Sequence, residues 1–178
     1  MSIDKIKSLF RRNNLNSKPS TDDDIATDSE LKDNKKSFLA QYGDKDELNR
    51  AINDPNSEHL HSALKNHLVS SDHIDKLLKS PEIHHRCNVF SVNPNLNISS
   101  THIDIALKDK NNDVRRNAAK HESCSSENLH KALQDKDVEV RRAAISNPKA
   151  SHEHYQKALN DRDMYIKNMA QHKLDGLK

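Results

Sequence analysis

His73, His102 and His154 occupy one recurring place along this chain, and with His84-His85 and His152 they are the side chains best suited to ligate a metal or carry a proton. Zinc needs its ligands at about 2.0–2.1 Å. Equivalent residues on neighbouring packed helices lie roughly 10 Å apart, so one row of imidazoles does not share an ion. No Cys or carboxylate stands at ligand spacing from the His pairs, and the row is expected to be polar surface and repeat filler. Clustered imidazoles can also confer sensitivity near pH 6. Cys87 and Cys124 would need an activating neighbour to act as nucleophiles. His84 and His121 are near them in sequence, but buried inert thiols are the expectation. Asp22-Asp23-Asp24 reads as an acidic linker rather than a cation site. A Gly-rich phosphate loop, a zinc box, a nucleophile elbow and a paired-carboxylate motif are all lacking. The expectation is a protein that is not an enzyme, with no catalytic residue, metal or cofactor.

The basic pairs Arg115-Arg116 and Arg141-Arg142 suggest a second chemistry, the binding of anions. With 29 basic and 27 acidic side chains the formal charge is only +2, so no global field draws the chain to nucleic acid or an anionic membrane. Any such binding needs a local patch, and Asp113, Asp137 and Glu139 stand close to those arginines in sequence. Aromatic residues make up 3% of the chain and Trp is absent, which leaves few stacking platforms for bases.

These residues are positioned by a repeat. Segments beginning at Asp44, Ser70, Ser99, Ser125 and Ser151 align, their starts 26, 29, 26 and 26 residues apart. A period in this range marks a stacked solenoid. Each segment opens on a helix-capping residue and carries apolar side chains at i, i+3 and i+4: Leu48, Ala51, Ile52; Ile74, Leu77, Leu78; Ile103, Ala106, Leu107; Leu129, Ala132, Leu133; Tyr155, Ala158, Leu159. A second helix follows, clearest from Val114, Val140 and Ile166, where Ala residues permit close approach. Pro94 and Pro148 end two of these helices. The predicted fold is all-α, an α-solenoid of about five two-helix repeats with a period of about 26.

The pattern resembles HEAT-like repeats and the variant leucine-rich repeats, over residues 44–175 and most strongly in the last three repeats. The resemblance rests on Asp109…Val114-Arg115, Asp135…Val140-Arg141 and Asp161…Ile166-Lys167, and on the run Val140–Pro148. It implies a right-handed stack of helix pairs, or alternating α and 3₁₀ helices in the variant class, that binds proteins or nucleic acids. It also implies that loop Asp109, Asp135 and Asp161 form a hydrogen-bonded ladder with Arg115 and Arg141, and with Lys167 in the last repeat. Arg116 and Arg142 sit one position on, about 100° around the helix, and are the leading candidates for a binding surface. Arg86 and Lys167 complete the candidate binding set.

Ahead of the repeats, residues 1–12 form a basic amphipathic segment with Ile3, Ile6, Leu9 and Phe10 on one helical face. Such a segment could dock on a protein groove or a membrane surface. Residues 13–43 read as a disordered polar linker, because so few apolar side chains cannot offset chain entropy. Phe38, Leu39 and Tyr42 mark the return to order, and residues 44–178 form the repeat domain. Two cysteines without a CxxC pair, no membrane-length apolar run and no signal-peptide core point to the cytoplasm. The expected function is a protein-binding scaffold or adaptor, with nucleic-acid binding as the alternative.

Overall fold

Each first helix begins where a Ser or Asp side chain, or the residue three positions on, can satisfy the exposed backbone N–H groups. The computed structural model describes residues 28–54, 57–93 and 95–176. Among these, every regular element is an α-helix, and both members of each pair are α rather than 3₁₀. The helices are α1 (Asp28–Tyr42), α2 (Lys45–Asn53), α3 (Ser57–Ala63), α4 (Ser71–Leu78), α5 (Ile83–Ser91), α6 (Ser100–Ala106), α7 (Asn112–Lys120), α8 (Ser126–Ala132), α9 (Val138–Ile145), α10 (His152–Ala158) and α11 (Met164–Asp175). The chain is thus an all-α solenoid of two-helix repeats, divided into two compact units, 1–69 and 70–178.

In the second unit the first helices α4, α6 and α8 adjoin in sequence, and α5, α7, α9 and α11 form the facing layer. The core is built from the i, i+3, i+4 faces: Ile74, Leu77, Ile103, Ala106, Leu129, Ala132 and Ala158 from first helices, Val89, Val114, Val140 and Ile166 from second ones. Ala118, Ala119, Ala143 and Ala144 are buried where α7 and α9 pack along their length. Small side chains at that seam remove the bulk that would hold the helices apart. The last pair is docked at fewer positions, through a cluster of Ile145, Tyr155, Ala158, Ile166, Ala170 and Leu174.

The first unit holds α1 and the pair α2–α3. Of the linker expected over 13–43, the stretch from Asp28 to Tyr42 is helical. A helix of this composition is marginal alone and is stabilised by packing. Ala40 is buried, Phe38 and Leu39 are half-buried, and α1 lies against α2 and α3. Buried Asn66 donates through Nδ2 to the carbonyls of Ala40 at 3.0 Å and Gly43 at 3.2 Å. Gly43 sits so close to the Leu39 carbonyl that a Cβ would collide with it. In the second unit Asn147 makes the same clamp, on the carbonyls of Ala119 at 2.8 Å and His121 at 3.0 Å. In that register α1 stands where the second helix of a preceding repeat would stand. The segment 1–12 and the linker as far as residue 27 lie outside the described residues.

Candidate functional site

A buried guanidinium needs its N–H groups paired, and the repeat supplies the pairs. Arg86 Nε lies 2.7 Å from Asp109 Oδ2, Arg115 Nε 2.7 Å from Asp135 Oδ2, and Arg141 Nε 2.8 Å from Asp161 Oδ2. The Nη2 of each arginine reaches the second carboxylate oxygen, and Nη1 donates to the carbonyls of its own loop: Ser80 and Pro81, Asp109 and Lys110, Asp135 and Lys136. Each loop carboxylate also accepts the backbone N–H two residues on: Asn111, Asp137 or Asp163. Each rung therefore ties one repeat to the loop of the next through bidentate, charge-assisted bonds. Arg86, expected in the binding set, is buried as the first rung and unavailable to a partner. Lys167 holds the ladder place of the last pair, half-buried. Among the described residues no loop carboxylate pairs with it.

Arg142, expected on the binding surface, is partly exposed there but paired. Its Nη2 lies 2.9 Å from Asp163, the N-cap of α11, and its Nη1 lies 2.9 Å from Glu139. The Asp163 hydrogen bond raises the guanidinium pKa, and the same bond lowers that of the carboxyl. Arg142 therefore forms an outer rung rather than a free cation. Among the described residues Arg116 pairs with Asp113 alone, at 3.0 Å, and its Nε is buried without a partner. Its matching carboxylate, Asp137, is turned to Asn112 Nδ2 at 3.0 Å. Both outer arginines remain about a third exposed, at 37% and 36%.

The histidine row is structural and buried, not surface filler. His73, His102 and His154 each accept the N–H of the N-cap serine on Nδ1, at 3.0 Å from Ser70, Ser99 and Ser151. Asn128 does the same with Oδ1, 2.9 Å from the Ser125 nitrogen. On the far side of these groups, His102 Nε2 lies 3.1 Å from Ser71 Oγ, Asn128 Nδ2 donates to Asp104 at 2.8 Å, and His154 Nε2 lies 3.0 Å from the Ser126 carbonyl oxygen. A neutral imidazole and an amide can both accept at δ1 and donate farther out, which explains their exchange at this position. Together these contacts complete a capping box and bridge to the previous repeat.

Cys87 is half-buried, and its thiol pKa is pushed up first by burial and then by Asp113. Burial pushes Cys124 up to about 12, and its Sγ contacts the Ala118 carbonyl oxygen at 3.2 Å. Neither has the depressed pKa of an activated thiol. Among the described residues no cluster of three metal-ligating side chains forms, and no helix is long and apolar enough to cross a membrane.

The surface feature not expected from sequence is on α11. Met164 is 64% exposed and Tyr165 53%, and the Arg142 guanidinium lies 5.2 Å from the Tyr165 ring centroid. Their counterparts 26 residues earlier are Val138 and Glu139. That break in the repeat, from a charge to an aromatic on the solvent side, was the available signal. No family model matches the sequence, and no curated protein matches it. Among solved structures, a designed armadillo repeat protein, YIII(Dq)4CqI, aligns over 87% of this chain and 96% of its own, at 14% identity and a TM-score of 0.40.

Proposed function

We propose that this chain is a non-enzymatic protein-binding scaffold, contacting its partner through the α9–α11 face around Tyr165, Met164 and Arg142. The observation that carries this reading is the exposed Tyr165–Met164 pair with a guanidinium over the ring. Tyr, Met and Arg are the side chains enriched at protein interfaces, and aromatic–Arg anchors supply much of their affinity. The nucleic-acid alternative is less well supported. Arg86, Arg115 and Arg141 are buried in carboxylate pairs, and Arg142 is held between two carboxylates. Phosphate would have to displace those partners.

The test is partner capture by wild type and by Met164→Ser with Tyr165→Ser, with and without nuclease. Loss of nuclease-resistant partners at unchanged melting temperature supports the proposal. Undiminished capture by the double variant, or partners that vanish with nuclease, overturns it.

A further inference from the structure

Stacking in this fold follows one template. On α9, the edge that meets the following pair carries Val138, Arg141 and Ile145. Val138 and Ile145 pack with Tyr155, Ile166 and Leu174. Arg141 takes the loop carboxylate of Asp161 at 2.8 Å. A shift of 26 residues carries these places to Met164, Lys167 and Gln171 on α11. Among the described residues no further helix pair covers them.

A capping repeat closes its outer edge with polar side chains. Gln171 does so: it is exposed, and its Nε2 donates to Asp175 Oδ2 at 3.1 Å. Exposed Asn168 likewise stands where Arg142 makes the outer rung. Met164 and Lys167 do not fit a closed edge. Met164 is 64% exposed, whereas Val138 is half-buried. Lys167 keeps the basic charge of the ladder, half-buried, without a hydrogen bond or ion pair among the described residues.

The charge around this edge has one sign. Arg162 and Lys173 are exposed on the same pair, and His172 and Lys173 line a groove beside Ser151 and His152. The carboxylates of the pair are engaged already: Asp161 by Arg141, Asp163 by Arg142, Asp175 by Gln171 and Glu153 by Lys157. A second copy placed end to end would set ammonium against ammonium. A carboxylate-bearing partner meets the complementary charge.

We propose that the outer edge of α11 docks an acidic amphipathic helix of a protein partner. A carboxylate of that helix takes the place at Lys167 that Asp161 takes at Arg141, and an apolar side chain covers Met164. The occupant is helical because helices fill the same edge of α9. This edge borders the protein-binding face around Tyr165, and the docking rests on that reading.

The probe is a capped amphipathic peptide of about 18 residues, long enough to hold a helix, with Leu on one face and Glu on the other. Twins carry Gln or Lys in place of Glu. Each is titrated into the full chain and followed by two-dimensional NMR. The Glu peptide should shift the Met164 methyl and the α11 amides, and added salt should weaken it. The Gln twin should bind about tenfold more weakly. Lys167→Glu should lose the Glu peptide and gain the Lys twin. Should that variant be unfolded, Lys167→Gln decides, by losing the preference for Glu over Gln. Equal binding of the Glu and Gln peptides, shifts that spare α11, or no shifts at about 1 mM peptide would overturn the docking. A dimer in sedimentation that Met164→Ser dissociates would assign the edge to a second copy instead. If Lys167→Gln captures every nuclease-resistant partner that Met164→Ser with Tyr165→Ser loses, the scaffold reading stands and the acidic docking fails.

Discussion

Arg141 and Asp161 stand 20 residues apart in sequence and 2.8 Å apart in space, with side chains only 5% and 6% exposed. Removing one partner of a buried pair leaves the other uncompensated, at a cost of about 3–5 kcal/mol. Arg141→Ala and Asp161→Ala should each lower the unfolding free energy by about 3 kcal/mol in urea titrations. The double variant should lose much less than the sum; additive losses would show that the two side chains are uncoupled.

Asn147 is buried and closes two carbonyls that α7 leaves open at its C-terminus. Asn147→Ala should cost about 2 kcal/mol, since buried acceptors are stranded. Exposed Ser146→Ala should fall within about 0.5 kcal/mol. Equal melting temperatures for the two would contradict the clamp.

Val140 is fully buried in α9, and its neighbour Glu139 faces out. Val140→Asp should remove several kcal/mol, a large share of a domain's roughly 5–15 kcal/mol. Glu139→Ala should change stability by no more than about 0.5 kcal/mol. Circular dichroism melts distinguish the two, and similar midpoints would place the helix register wrongly.

His121 stands where Asn147 stands one repeat later, and its Nδ1 accepts the Ser123 N–H at 3.1 Å. Its pKa is lowered by burial first, with Glu122 opposing and Lys149 adding to the shift. A depressed histidine favours the neutral fold. Its contribution is complete above about 6.5 and disappears as pH falls through the folded value. His121→Asn keeps the acceptor and should flatten the acid limb of the stability profile below about pH 6.5. A profile parallel to wild type would remove His121 from the cause.

Arg142→Glu would place a third carboxylate beside Glu139 and Asp163, whereas Arg116→Glu would confront only Asp113. Arg142→Glu should therefore melt at the lower temperature, and the gap should narrow in high salt. The reverse order would restore Arg142 as a free surface cation.

The helix faces were legible because i, i+3, i+4 spacing is a local property: Leu48, Ile74, Ile103 and Leu129 are all buried as their register requires. The capping role of His102 and His154 was less legible. A capping box is usually recognised by Glu or Gln at its third helical position, and an imidazole there reads as a possible ligand. The substitution of Asn128 in the same place was the clue, because Asn and neutral His share an acceptor at δ1.

Sequence by itself determined the all-α class, the 26-residue period and which helix face is apolar, since each is written within a few turns of chain. Tertiary structure alone decided which charges are free. The carboxylates that claim Arg86, Arg115, Arg141 and Arg142 lie 20 to 23 residues away, in the next repeat, and meet them only when the helix pairs stack. It also decided that Asp28–Tyr42 is a helix, because so polar a segment becomes ordered through the contacts of Ala40 and the Asn66 clamp rather than through its own propensity.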